Sequence, residues 1–444
     1  MKILLAVHHF PPRYSAGAEL YTLRLARWLL AHGHEAEAVC VETLDAERAA
    51  GVEAARDTYE GVPVWRLHLG LRGAPANWTY ANPMVAGWVA RHMQANRPDL
   101  LHLHSGYLIG AGVLEEAHRL GVPGVVTLHD YWFLCPRFTL LRGDGQVCAE
   151  IPTDPAGCAW CLRLDRRRYR LPEQVSRGAA GRLWITLAGG AGRDAQAARR
   201  AYLREALARV DLAIAPSRFL AGMFADCLPQ GKLRILPLGL DTNRLAAVPA
   251  PPPGDTLRIG YLGQIAPHKG VHVLVRAVRQ LPDGGRPIQV RIFGNLAQNP
   301  TYTRQLQTMI GADPRITLAG PFNSRQLPAV LGELDLTIVP SIWYENSPLA
   351  IMEAHAAGRP VITSRLGGMA ELVRDGVDGL HFQPGDADDL ARQIQRLRDE
   401  PGLLERLRAG VRPPPSIDDA MAELMEAYRL VIEQRQAARA VEVR

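Results

Sequence analysis

The 444-residue sequence predicts an α/β protein built from two doubly wound, parallel-sheet domains. Three observations lead there. Short apolar runs alternate with amphipathic stretches from the first residues onward. The alternation breaks at the Pro-rich residues 246–254 and then restarts. Apolar residues make up 47% of the chain against 22% charged, the balance of a soluble globular protein with ample core.

The elements follow in order. Residues 2–7 form a strand, 18–31 a helix and 35–41 a strand; then come strand 100–104, helix 108–119 and strand 125–129. Helix 201–210 leads into strand 212–215, and 233–238 is a further strand. Nearly continuous apolar runs of this kind suit strands covered on both faces. After the break, strands 257–262, 288–293, 316–319, 334–340 and 360–363 alternate with helices 271–281, 304–310, 325–331, 348–357 and 387–398. A last helix, 416–439, follows Pro413, Pro414 and Pro415. The expected domains are 1–232, carrying a basic, Cys-rich insert at about 135–204; 233–415; and a helix, 416–444, folding back on the first domain. Ligands of such sheets lie beyond the carboxyl ends of the strands, so a common cleft between the domains is expected.

Composition excludes several classes. No run of about 18 uncharged apolar residues exists, so no membrane-spanning helix is expected. Met1–His9 enters a strand directly, which leaves no room for a signal peptide and points to the cytoplasm. Charge is uneven: residues 163–204 hold eleven arginines against Asp165, Glu173 and Asp194, in a chain of net charge +6. With Trp184 and Leu183 beside it, this stretch suits an anionic lipid surface at the inner face of the membrane, or an anionic acceptor; the plainer alternative is a solvated helical face. No nucleic-acid motif accompanies the charge, and no nucleic-acid partner is expected. Four of six cysteines (Cys135, Cys148, Cys158 and Cys161) fall within 27 residues. In a reducing compartment they favour a structural zinc over disulfides or free thiols, although the spacing matches no standard finger.

The segment from Tyr344 to Glu353 carries the most chemistry. An apolar strand precedes it, Ser347 is a candidate N-cap, and Pro348 suits the first helical position. The amides of Leu349, Ala350 and Ile351 would then face an anion at a positive dipole end. Glu345 and Glu353 flank that point and could each hold a polyhydroxyl group. A nucleotide sugar, with ribose, diphosphate and sugar in a row, has this pattern. An ordinary capped helix with a solvated Glu353 is the competing reading.

Other strand ends add to it. Gly17, in the loop from His9 to Glu19, stands before a helix and permits close backbone approach, unless it is a simple turn glycine. His129 leaves a strand where it could donate to a sugar, or be a satisfied structural histidine. The loop from Tyr261 to Gly270 holds Lys269, one of only three lysines beside 48 arginines. A compact ammonium there suits a diphosphate.

In this order the motifs resemble the retaining glycosyltransferases of family 4. They are Gly17-Ala-Glu19, the 98–104 strand, His129-Asp130, Ala215-Pro-Ser217, Gly263 to His268-Lys-Gly270, Glu345-x7-Glu353, and Gly367-Gly-Met-Ala-Glu371 with Asp375 to Gly379. The resemblance implies a GT-B fold of two Rossmann-like domains, an acceptor-side first domain and a nucleotide-sugar-binding second one. It implies that Glu345 contacts the transferred sugar, Glu353 the ribose, and Lys269 the diphosphate, helped by Ser347, Pro348 and Leu349. His129 would lie beside the sugar, Gly17 and Glu19 near phosphate or acceptor, and Gly294 near the base. The acceptor class it implies is a saccharide or lipid-linked saccharide in cell-surface polysaccharide or glycolipid synthesis. Family members usually carry an arginine where this chain has Gln264, one cation fewer unless Arg218 substitutes. No metal is expected in catalysis, because Asp386 and Asp388 sit at a helix start, not a strand end. A degenerate nucleotide-sugar-binding scaffold and a sugar-nucleotide epimerase are the alternatives. A dinucleotide oxidoreductase is excluded by the lack of Gly-x-Gly-x-x-Gly after a strand.

Overall fold

A computed structural model describes residues 1–442 apart from 15, 189–191 and 253. Residues 189–191 of the basic insert and 443–444 of the last helix therefore lie outside the described residues. The chain divides into two compact units, Met1–Leu236 with Met421–Arg444, and Pro237–Ala420.

The first unit contains an eight-stranded sheet. Its strands are β1 (Lys2–Val7), β2 (Glu35–Ala49), β3 (Gly51–Tyr59), β4 (Val62–Arg72), β5 (Leu100–Leu103), β6 (Gly124–Thr127), β7 (Leu212–Ala215) and β8 (Leu233–Ile235). They lie in the order β3-β4-β2-β1-β5-β6-β7-β8, and only the β3–β4 pair is antiparallel. Strands β5, β6 and β7 are buried at every position, as continuous apolar runs require between two helical layers. The sequence pattern had offered no strand between residues 41 and 100. β2 in fact runs on to Ala49, and β3 forms the sheet edge. The outer half of β2 and most of β3 are exposed and charged, so neither shows the buried alternation that marks a strand.

The division falls after Leu236, not after Lys232, because β8 pairs with β7 and so completes the first sheet. The last helix, Ile417–Glu442, starts in the second unit, and from Met421 onward it belongs to the first. Its Tyr428 is fully buried and shares a 2.5 Å hydrogen bond with Nδ1 of His102 on β5. The other His102 nitrogen, Nε2, lies 2.8 Å from the Thr127 hydroxyl. Burial keeps His102 neutral by lowering its pKa far below the usual histidine value.

The second unit contains a six-stranded, wholly parallel sheet: β9 (Leu257–Leu262), β10 (Ile288–Phe293), β11 (Ile316–Gly320), β12 (Leu336–Val339), β13 (Val361–Ser364) and β14 (Gly379–Phe382), in the order β11-β10-β9-β12-β13-β14. Its core gathers Ile259, Leu274, Val278, Ile292 and Ile338 from strands and the helix Val271–Gln280. In both sheets the strand order reverses direction once: between β1 and β5, and between β9 and β12. At such a reversal point the loops on either side diverge, and ligands of open α/β sheets bind beyond the carboxyl ends there.

Tyr428→Phe is expected to destabilise the first unit by about 1–2 kcal/mol, because it strands a buried imidazole nitrogen. Thermal unfolding reads this as a midpoint lowered by a few degrees.

Candidate active site

In the second unit the reversal point joins two distant pieces of sequence. The loop after β9 ends in a 3₁₀ turn, Pro267–Lys269, and Gly270 starts the next helix at φ 70°. A Cβ on Gly270 would come within 1.8 Å of the Pro340 carbonyl oxygen, so only glycine lets this loop approach the end of β12. The amide of Ile342 then bonds the His268 carbonyl at 2.9 Å.

This contact sets Lys269 against Glu345. Glu345 is buried, and its Oε1 accepts three hydrogen bonds: from Lys269 Nζ at 2.6 Å, Ser341 Oγ at 2.8 Å and the Trp343 indole at 2.9 Å. Burial alone would raise the carboxyl pKa. Lys269 outweighs it, with help from Ser341 and Trp343, and the net shift is downward. The ammonium also lies 5.2 Å from the centre of the Trp343 ring. Beside it, burial and then Lys269 push His268 down to about 4, so this imidazole is neutral at pH 7. Ser341 and Trp343 were missed from sequence. They stand four and two residues before Glu345, on the exit of β12, and strand-like alternation would have aimed them together.

From β13 a third loop closes in. The amide of Gly368 bonds the Glu345 carbonyl at 2.8 Å, and a Cβ there would lie 2.0 Å from the Asn346 carbonyl oxygen. The following segment departs from expectation at one point. The helix is Leu349–Ala356, and Pro348, not Ser347, occupies the N-cap position without any side-chain capping bond. The Ser347 hydroxyl contacts Met352 Sδ instead, at 3.5 Å. Proline cannot cap with a side chain, so the first amides, on Leu349 and Ala350, keep no carbonyl partner within the helix. Ile351 N–H turns back to the Pro348 carbonyl at 3.1 Å. Glu353 is half-buried on the second turn.

Gln264 is exposed, and its carbonyl, not its side chain, is engaged, accepting from Tyr261 OH at 2.6 Å. Gly294 packs its backbone on the β9 loop, where a Cβ would lie 2.2 Å from the Gly263 carbonyl oxygen. That close approach accounts for the glycine independently of any base. Asp386 caps the helix Ala387–Asp399 through the amides of Asp388 and Asp389, both at 2.9 Å. Arg218 opens a helix in the first unit, whereas Gln264 belongs to the second.

The first unit collects a second polar group at its own reversal point. Glu19, on the helix Gly17–Ala31, is buried, and its Oε1 pairs with His8 Nε2 at 3.2 Å. Burial works to raise Glu19, but His8 turns the net shift downward. His129 Nε2 stands 3.2 Å from His104 Nδ1, and its ring lies 5.2 Å from Tyr21. Burial takes His129 down to about 4, leaving a neutral imidazole. Among the described residues, His8 Nδ1, Glu19 Oε2, His104 Nε2 and Ser105 Oγ are buried without a partner. Such groups are expensive unless something polar meets them. Gly17 is exposed, and a Cβ added there would touch nothing within 4 Å, so the fold itself does not require this glycine. His8, His104 and Ser105 were not singled out from sequence; their place at the ends of β1 and β5 was the available signal.

Cys135, Cys148, Cys158 and Cys161 line one small cavity, all as free thiols. Among the described residues, no three Cys, His, Asp or Glu side chains already close to metal-ligand distance.

Residues 15–244, more than half of the chain, match the family described as Glycosyltransferase Family 4, and residues 256–400 match Glycosyl transferases group 1. The chain belongs to glycosyltransferase family 4. This family-4 chain is 30% identical over 176 residues to alpha-D-kanosaminyltransferase of Streptomyces kanamyceticus, covering 38% of this chain and 44% of that one. It is 35% identical over 163 residues to D-inositol 3-phosphate glycosyltransferase of Mycolicibacterium smegmatis, covering 35% and 36%. The matched segments span less than half of each relative. Among solved structures, HepE of Anabaena in complex with UDP superposes over 100% of both chains, with a TM-score of 0.61 and 18% identity. Sucrose-phosphate synthase of Thermosynechococcus elongatus covers 98% of this chain and 100% of its own, with a TM-score of 0.63 and 17% identity. These likenesses are of fold: two parallel-sheet α/β domains of the GT-B kind.

The depressed Glu345 pKa has a signed consequence. Its stabilisation is complete above the ordinary glutamate range and is lost as pH falls through the lower folded value. Wild type should therefore exceed Glu345→Gln in thermal stability by a constant margin at neutral pH, and the margin should shrink only under acid conditions.

Proposed function

We propose that this glycosyltransferase moves a sugar from a nucleotide-sugar donor to a saccharide or lipid-linked saccharide, with retention at the anomeric carbon and without a catalytic metal. The observation that carries the reading is Lys269 held by Glu345 beside the open N-terminus of the helix Leu349–Ala356. An ammonium has three N–H bonds, and one goes to Glu345. The others, with the amides of Leu349 and Ala350, suit a diphosphate, and they stabilise the charge that grows on it as the leaving group departs. Glu345 Oε1 is taken up by its three donors, so Oε2 is the oxygen offered to a sugar hydroxyl. Glu353, one helical turn in, is assigned to the ribose.

The acceptor oxygen bonds to the anomeric carbon on the face from which the diphosphate leaves. The C1–O bond to the phosphate breaks, and the acceptor proton passes to a phosphate oxygen. His129, Glu19 and the unsatisfied atoms around them are assigned to the acceptor side, with His129 acting as a neutral hydrogen-bonding group. Gln264 leaves the leaving group with one cation fewer, which makes Lys269 more important here.

Lys269→Ala should lower kcat by about 10²–10³-fold while the fold survives, with a smaller rise in donor KM. Transfer in buffer free of added Mg²⁺ and Mn²⁺ should be undiminished. Unchanged turnover in the variant would remove Lys269 from the mechanism. Nucleotide sugars with different bases, screened for protection against thermal unfolding, identify the donor.

The basic insert supports an anionic membrane surface as the place of work. Of nine exposed large hydrophobic residues among those described, four fall here: Leu171, Val175 at 84% exposure, Leu183, and Leu187 at 76%. They stand on the helices Arg167–Val175 and Ala179–Ala188, interleaved with Arg168, Arg170, Arg177 and Arg182. Apolar side chains entering the headgroup region beside arginines suit anionic lipid. Flotation with vesicles containing phosphatidylglycerol should retain the protein at low salt and release it at high salt. Leu183→Asp with Leu187→Asp should weaken retention, and equal binding to neutral vesicles would overturn the electrostatic part.

A further inference from the structure

Between β6 and the helix Arg193–Ala208 the chain leaves the regular α/β pattern, and four cysteines meet there. Cys135 follows a turn in which its amide bonds the Tyr131 carbonyl at 2.7 Å. Cys148 ends a small hairpin, closed by the Leu141–Val147 bridge and by its own amide to the Leu140 carbonyl at 2.7 Å. Cys158 and Cys161 lie three residues apart on the helix Pro155–Arg163, whose first turn is capped by Asp154. That spacing puts both sulfurs on one helix face. All four line a single cavity of about 30 Å³, otherwise walled mainly by apolar side chains such as Leu134, Leu140 and Ile151.

We propose that these four thiolates hold one structural zinc ion. The architecture, one ligand from a turn, one from a hairpin and two from a helix, surrounds a point from several sides, as tetrahedral coordination requires. As placed, no three of the sulfurs stand at ligand distance, so binding requires them to move to about 2.3 Å from a common centre. One hydrogen-bond donor is already turned to a sulfur. Arg200 Nη2 lies 3.6 Å from Cys158 Sγ, whereas the Cys148 thiol itself donates to the Glu150 carbonyl at 3.2 Å. Metal-bound thiolates draw such donors, whereas the sulfurs of a neutral disulfide draw them weakly.

Charge gives a second, independent indication. Arg199 is buried, donates to the Trp132 carbonyl and faces Cys135 and Cys158. Arg200 donates to the carbonyls of Pro152 and Thr153, both at 2.8 Å. Among the described residues neither arginine forms an ion pair with a carboxylate, whereas Arg137 and Arg142 nearby pair with Asp165 and with Asp144 and Glu173. Both guanidinium groups act on Cys158, with the Asp130 carboxylate also acting on Arg199. A zinc with four thiolates carries two negative charges and would add to that balance. The ion would fix the segment that begins six residues beyond His129, and so would steady the strand end assigned to the acceptor.

Full-length protein purified under reducing conditions without chelator should contain about one zinc per chain by elemental analysis. Titration with p-hydroxymercuribenzoate should release that zinc as about four thiols react. Cys158→Ser should lose the metal and melt earlier, while Cys227→Ser, outside the cavity, should retain it. The wild-type measurements decide the matter even where Cys158→Ser does not fold. Wild-type protein with far less than one zinc per chain after growth with added zinc overturns the proposal. So do disulfides among the four cysteines, found by mass spectrometry in the reduced preparation.

Discussion

The buried ion pair between Lys269 and Glu345 organises the second unit's site. A carboxylate taken out of water costs several kcal/mol, and a lone lysine contact would not offset that. Here the cost is met on one oxygen by three donors from two different loops. Because those donors arrive from β9 and β12, the pair holds the two loops at a fixed separation. The Gly270–Pro340 approach and the Gly368–Glu345 backbone bond depend on the same separation. The helix start at Leu349 follows four residues after Glu345, so its open amides are aimed by the same arrangement.

The two units handle polar groups in opposite ways. Around Glu345 the hydrogen bonds are made and the carboxylate is held ionised. Around Glu19, His8, His104 and Ser105 several buried atoms are left without partners. On our proposal, the pre-satisfied charge suits a site that stays rigid as a diphosphate arrives, and the unsatisfied donors and acceptors suit one completed by the hydroxyls of its ligand. His104 and His129 are kept neutral by burial, so these two act through hydrogen bonds and not through charge.

The insert after β6 is held differently. Its helices are short, its hairpin is closed by a single bridge, and much of its outer apolar surface is exposed. With little core of its own, it relies on ion pairs such as Arg137–Asp165 and, on our proposal, on the four sulfurs. A segment so built can present an uneven, basic and apolar surface without disturbing the sheet beneath it.

The sequence by itself determined most of the strands, most of the helices and the two-domain plan, and it singled out Lys269 and Glu345, which the structure brings together. These follow from local causes: apolar runs, helical spacing, and a lysine kept where arginine is otherwise preferred. Several features were beyond it. β3 is a largely exposed edge strand paired with β4, and β8 joins the first sheet through β7. Pro348 displaced Ser347 at the helix start, and Gly294 is explained by contact with a loop some thirty residues earlier in the chain. The convergence of Ser341, Trp343 and Lys269 on one oxygen, and of His8 with Glu19, was decided only by tertiary structure. Strand order sets which loops become neighbours. That order comes from packing two helical layers on a twisted sheet, and no local pattern in the chain encodes it.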